Sequence, residues 1–150
     1  GFKMLMEKLQ QERLCISVAS MFSVRRSLDD TIAYVKEREA FGKSIANFQN
    51  TQFTLAELET QYEVGQAFTD KLLAAHVRGD EIVSEVSMGK WWASDLQKKV
   101  AAECLQLFGG YGFMAEYPIS TDYQDAAVQS IYAGSNEIMK VIIAKRMGLG

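Results

Sequence analysis

Four short stretches carry side chains that a bare helical core does not explain. In Leu9-Gln10-Gln11-Glu12-Arg13-Leu14 a carboxylate stands directly beside a guanidinium. In the stretch from Arg38 to Gln49, an arginine just ahead of Phe41 and Gly42 offers a planar five-donor fork to a phosphate, with Phe41 available to stack on a purine. In Gln106-Leu107-Phe108-Gly109-Gly110, glycine frees backbone amides to approach a cofactor. In Ile131-Tyr132-Ala133-Gly134-Ser135-Asn136-Glu137, Ser135 is placed to cap a helix whose free amides can meet an anion. Each has an ordinary structural explanation when taken singly. Glu12 pairs with Lys8 on an exposed helix face, Arg38 is a surface arginine, the glycines stop a helix, and Ser135 only caps.

Composition narrows the classes. The chain has 150 residues, 48% of them hydrophobic, enough for one domain with a substantial core. Sixteen basic and 19 acidic residues are mixed along it for a net charge of -3, which leaves no basic stripe for nucleic acid and no polybasic membrane patch. No apolar run is long enough for a membrane span, so a soluble chain is expected. The opening Gly1-Phe2-Lys3 leads the reading toward a piece of a longer protein. His76 is the only histidine, which removes a two-histidine zinc site and the paired Glu-x-x-His motifs of a di-iron bundle; no metal is expected. Cys15 and Cys104, far apart in apolar helical stretches, read as reduced small core residues.

The elements that must position these residues are helices. Pro118 is the only proline, and strand-like alternation is scarce. The reading is an all-α, antiparallel, four-helix-bundle-like domain with short additional helices. In the first helix Leu14, Val18, Met21, Leu28, Ile32 and Val35 form a seam expected to be buried, with Arg25 on it in need of a carboxylate. A loop of about a dozen residues follows, with Gly42 as a left-handed stop and Asn50 or Thr51 as the next cap. The second helix runs from near Thr51 to Val77 on Leu55, Leu58, Tyr62, Leu72 and Leu73, and Gly79-Asp80 ends it. The third, from about Ile82 to Phe108, uses Val86, Trp92, Leu96, Val100 and Leu107, with Gly89 and Ala93 permitting close approach. A short helix from Pro118 to about Ala126 and a last one from near Ser135 through Ile138, Val141, Ile142 and Met147 complete the array.

These strings, in this order and at these separations, resemble the C-terminal domain of the acyl-CoA dehydrogenases. The match runs from Gly1-Phe2-Lys3 through Arg38-Glu39-Ala40-Phe41-Gly42-Lys43, Phe48-Gln49 and Gln106 to Gly112, then Ile131 to Ile138. The resemblance implies the last of three domains of an FAD enzyme that oxidises an acyl-CoA to the trans-2-enoyl-CoA and passes electrons to electron-transferring flavoprotein. It implies a homo-oligomer, tetramer or dimer, in the bacterial cytoplasm or alternatively the mitochondrial matrix. By analogy Arg38 holds the FAD pyrophosphate, Phe41 lies by the adenine and Gln49 bonds the same dinucleotide, all toward a neighbouring subunit's cofactor. Gln106, Phe108, Gly109 and Gly110 line FAD from the other side, and Ser135 and Glu137 bond it near the final helix.

The sequence departs from many members at the base. They carry glutamate after the tyrosine of the turn, where this chain has Ala133, whose methyl can hold no proton. The long-chain and isovaleryl members instead resemble it at Glu-Arg-Leu in the first helix, so the resemblance makes Glu12 the base. Glu137 is the second choice, with Glu116 and Asp125 further off. The chemistry needs a carboxylate because a proton next to a thioester is weakly acidic and must leave as hydride departs from the neighbouring carbon; a carboxylate shut off from water becomes a stronger base. The amide of Ala133 or Gly134 is the expected partner of the thioester oxygen, and Arg13 the residue that orients Glu12. Two other functions fit the same residues: a non-catalytic cofactor-docking and assembly subunit, and an oxygen-using acyl-CoA oxidase.

Overall fold

The computed structural model describes residues 2–150, with side chains from Lys8 onward; the side chains of the Gly1-Phe2-Lys3 string lie outside the described residues. Three long helices, α1 (Phe2–Glu37), α2 (Gln49–Val77) and α3 (Val83–Phe108), run antiparallel, followed by the shorter α4 (Pro118–Val128) and α5 (Asn136–Arg146). The α3 helix is the hub and packs on all four others. Among the described residues, no helix is long and apolar enough to cross a membrane.

The core forms where the helical period puts apolar residues in register. Met21, Val24 and Leu28 of α1 meet Leu58 of α2, Ala93, Leu96, Val100, Cys104 and Phe108 of α3, and Ile119 of α4. A second cluster joins Leu14, Leu72, Ala75, Ile82 and Val86. Close approach is bought with small residues: a Cβ on Gly89 would come within 2.5 Å of Leu72 Cδ1. Buried hydroxyls of Ser17, Thr31, Thr69 and Ser87 donate to carbonyls four residues back, so they satisfy themselves inside the interfaces. Arg25 finds its carboxylates in Glu59 at 2.6 Å and Asp29 at 2.7 Å. Asp122, buried on α4, accepts from Arg26 and from Ser27 and ties α4 to α1.

Several expectations are corrected. The dozen-residue loop is a small hairpin, β1 (Glu39–Ala40) with β2 (Lys43–Ser44), then a 3-10 turn over Ile45–Asn47. Phe41 and Gly42 both take positive φ, 54° and 79°, the backbone of a two-residue hairpin turn. The N-cap of α2 is Phe48, without a side-chain cap bond, so neither Asn50 nor Thr51 serves. Val18, Leu73 and Trp92 are exposed, as are Ile138 and Val141 on α5 and Met147 just past its end; the buried residues of α5 are Asn136 and Met139. Cys15 is exposed while Cys104 is fully buried, its thiol pushed up to about 11 by burial.

Candidate functional site

The residues singled out above fall into two groups, one around Glu12 in the first half of α1 and one around Arg38 just past its C-terminal end. Glu12 and Arg38 stand about 39 Å apart along the helix at about 1.5 Å per residue.

At the Arg38 end lies a cavity of about 450 Å³, lined by Arg38 and Gln106 to Gly110 together with Tyr34, Ile45, Tyr111 and Met114. Its floor is aromatic. Tyr34 stacks on Phe108 with ring centroids 4.1 Å apart and donates its hydroxyl to the Phe108 carbonyl at 3.3 Å, and Tyr117 meets both rings edge-on. Burial raises the Tyr34 phenol above its ordinary value, which keeps it a neutral donor. The Arg38 guanidinium sits 5.3 Å from the Tyr111 ring centroid, leaving its planar fork exposed beside the cavity. Gly109 holds the rim with φ 60° and ψ -139°, a conformation that side chains resist, and here α3 gives way to a 3-10 turn over Gly109–Phe113. Phe41 is 97% exposed at the hairpin tip, 6.3 Å from Phe48, and Gln49 is exposed at the start of α2.

Arg38 and the Gln106–Gly110 segment therefore line one cavity of this chain. Helix parity is the reason: in an antiparallel array the first and third helices finish at the same end. The ring of Phe108 also belongs to the core, so its wall of the cavity is rigid. A concave aromatic floor with a free guanidinium and a glycine rim fits a dinucleotide with its pyrophosphate.

The other end is organised around the turn before α5. Asn136 closes it by donating its N–H to the Ser130 carbonyl at 3.0 Å. Ala133 and Gly134 both take positive φ, 51° and 95°. Two buried cations hold their carbonyls. Arg13, 5% exposed, donates Nε to Ala133 O at 3.4 Å, and Lys90, fully buried, donates Nζ to Gly134 O and to Asn136 Oδ1, each at 2.9 Å. Asn136 Nδ2 in turn donates to Ser94 Oγ at 2.9 Å and to Asp95 Oδ1 at 3.0 Å. Burial lowers the Arg13 guanidinium from its ordinary value and the neighbouring Glu12 carboxylate partly restores it, so Glu12 lies within electrostatic reach of the group that grips the turn. Glu12 itself is exposed, on the side of α1 that the described residues leave open.

Ser135 is the N-cap residue of α5 without a side-chain cap bond, contrary to the expected cap. Its hydroxyl, second to the backbone amide of Glu137, draws the Glu137 carboxyl below the ordinary carboxylate value. Lys90, Asn136, Ser94 and Asp95 were not among the residues picked from sequence. One signal was present: Lys90 lies three residues before Ala93 and four after Val86, on the seam of α3 that was read as buried.

Comparison with known proteins shows the family. Residues 1–148 match the family model of the acyl-CoA dehydrogenase C-terminal domain. The mitochondrial long-chain specific acyl-CoA dehydrogenase of Mus musculus is 48% identical over 147 residues, 98% of this chain and 34% of that protein. An acyl-CoA dehydrogenase of Bacillus subtilis is 36% identical over 97% of this chain and 38% of its own length. Among solved structures, an acyl-CoA dehydrogenase from Geobacillus kaustophilus superposes with a TM-score of 0.98 at 50% identity, covering 99% of this chain and 39% of that one. Butyryl-CoA dehydrogenase from Megasphaera elsdenii gives 0.95 at 31% identity, covering 98% and 38%. The chain belongs to the acyl-CoA dehydrogenase family and corresponds to its C-terminal helical domain. It spans about a third of the length of the curated relatives it matches.

Proposed function

We propose that the protein containing this domain is an FAD-dependent acyl-CoA dehydrogenase that forms a trans-2-enoyl-CoA, with Glu12 as the base. The observation that carries the reading is the contact of Arg13 with the Ala133 carbonyl, because it sets the turn of α1 that bears Glu12 against the segment before α5, where this chain has Ala133. Glu12 takes the proton from the carbon next to the thioester, and the electron pair left behind becomes part of the new carbon–carbon double bond. FAD, when bound, supplies the acceptor for the hydride leaving the next carbon. The N–H groups of the turn, with the positive end of α5 behind them, hold the thioester oxygen as it gains charge. Arg38, Phe41 and Gln49 with Gln106 to Gly110 hold the dinucleotide, and Ser135 and Glu137 meet it near α5.

The separation of the two ends supports a homo-oligomer, in which one chain's Arg38 cavity serves a neighbour's cofactor while its own turn serves the substrate. Electron-transferring flavoprotein is the proposed electron acceptor, and the likeness to long-chain specific relatives favours a longer acyl-CoA as substrate.

The test is Glu12→Gln in the full-length protein, followed by anaerobic mixing with acyl-CoAs of graded length. Flavin stays bound and its bleaching slows by roughly a thousandfold, the scale of a lost general base. Bleaching at the wild-type rate removes Glu12 from the mechanism.

A further inference from the structure

Ahead of Arg13 and Leu14, burial does little to hold α1 in place: Lys8, Gln11 and Glu12 are exposed, and Leu9 and Gln10 are half-buried. Two polar side chains reach from this stretch to distant parts of the chain. Arg13 is one, through the Ala133 carbonyl. Gln10 is the other. Its Nε2 donates to the Asp80 carbonyl at 3.2 Å and its Oε1 accepts from the Ile82 N–H at 3.1 Å, so both ends of one planar carboxamide engage the connection between α2 and α3, 70 and 72 residues away.

That connection is a firm anchorage. Gly79 turns the chain with φ 84°, and the Asp80 N–H donates to the Ala75 carbonyl at 3.1 Å. Arg78 holds the Asp80 carboxylate through Nε at 3.2 Å and Nη2 at 2.7 Å. Ile82 is buried in the cluster with Leu14 and Val86, and it is the N-cap residue of α3, without a side-chain cap bond of its own. Its N–H is one of the donors that a helix start leaves without an internal partner, and Gln10 satisfies it. Gln10 and Arg13, three residues apart, are neighbours on one helix turn. They are tied to two different segments, one before α3 and one before α5, and Glu12 lies between them in sequence. Two such braces stop this level of α1 from sliding along its axis or rolling about it; with only one, Glu12 swings about the other.

We propose that Gln10 is a positioning residue for the proposed proton transfer: by splinting α1 to the α2–α3 connection it fixes, together with Arg13, the place from which the Glu12 carboxylate reaches the substrate. This rests on the functional reading above. Gln10 acts through the backbone of α1 and takes no part in the chemistry. Proton transfer is the step most sensitive to such a brace, since a misplacement of about 1 Å costs on the order of a hundredfold in rate.

The experiment compares Gln10→Met, Glu12→Gln and the double variant with wild type in the full-length flavoprotein, reading anaerobic flavin bleaching by a saturated long-chain acyl-CoA. Methionine keeps the length of residue 10 and removes both bonds. Gln10→Met lowers the limiting bleaching rate about tenfold, while flavin stays bound and the half-saturating acyl-CoA concentration stays within about twofold of wild type. In the Glu12→Gln background the same substitution changes the residual rate by less than about twofold, because no base is left to misplace. Hydrogen exchange gives a readout that needs no substrate: in Gln10→Met the Ile82 amide and the segment 8–14 exchange about tenfold faster, while the middle of α3 is unchanged. A Gln10→Met protein that bleaches at the wild-type rate, that loses flavin or only raises the half-saturating concentration, or that slows equally in both backgrounds overturns the proposal. Wild-type bleaching by Glu12→Gln alone overturns the functional reading instead, and exchange over 8–14 still decides whether Gln10 splints this turn of α1.

Discussion

The two ends of α1 are built on different plans. At the Arg38 end the working surface is an extension of the core: Phe108 is simultaneously a core residue and a cavity wall, stacked on Tyr34 and boxed by Tyr117. At the Glu12 end the acid is exposed, and what is buried is the apparatus behind the turn, Arg13 and Lys90. One end has a finished concave shape; the other has finished electrostatics and an open front. A dinucleotide of fixed shape suits the first plan, and a reaction that moves charge suits the second.

This contrast can be broken by pairing a variant from each end. Glu12→Gln slows turnover roughly a thousandfold with flavin retained, whereas Arg38→Ala weakens flavin binding, with affinity falling about tenfold for a lost charge-assisted contact and little change in melting temperature, because Arg38 is exposed. Flavin absorbance after gel filtration, read beside the bleaching rate, separates the two. If both variants fail in the same way, the ends are not specialised. Gly112→Ala sharpens the claim that the cavity is core-built. Its Cβ would lie 2.6 Å from the Leu105 carbonyl oxygen, backbone that cannot swing aside, so a loss of about 2 kcal/mol in thermal unfolding and weaker flavin retention are expected together. The smallest effect concerns Lys90, whose amine burial holds below its ordinary 10.5. Between that lowered value and 10.5 the unfolded chain binds the extra proton, so stability from this residue rises with pH through that window. Denaturant titrations from neutral to alkaline pH should show wild type gaining on Lys90→Met.

Much of the architecture was legible because the helical period is a local property. Gly79, Gly109 and Pro118 mark the boundaries of α2, α3 and α4 where backbone chemistry requires them. Which apolar residues are covered was not legible in the same way. Val18, Leu73, Trp92 and Ile138 satisfy the period as well as Leu28 does, but periodicity does not say whether a partner comes from this chain. The hairpin escaped because strands of two residues show no alternation, although Phe41-Gly42 carried its turn. The shared cavity of Arg38 and Gln106 followed from helix parity once three antiparallel helices were accepted. Lys90 was hidden by its charge: a lysine on a buried seam reads as an exception until the carbonyl it serves, 44 residues later, is known.

The α1 helix also acts as a measuring rod. It carries the proposed base in its first third and delivers Arg38 just past its end, with no break between. Inserting one residue in its middle would advance one end by about 1.5 Å and swing it by about 100° relative to the other. Sequence along its sides can therefore drift, while its length is locked by the two chemistries it keeps in phase.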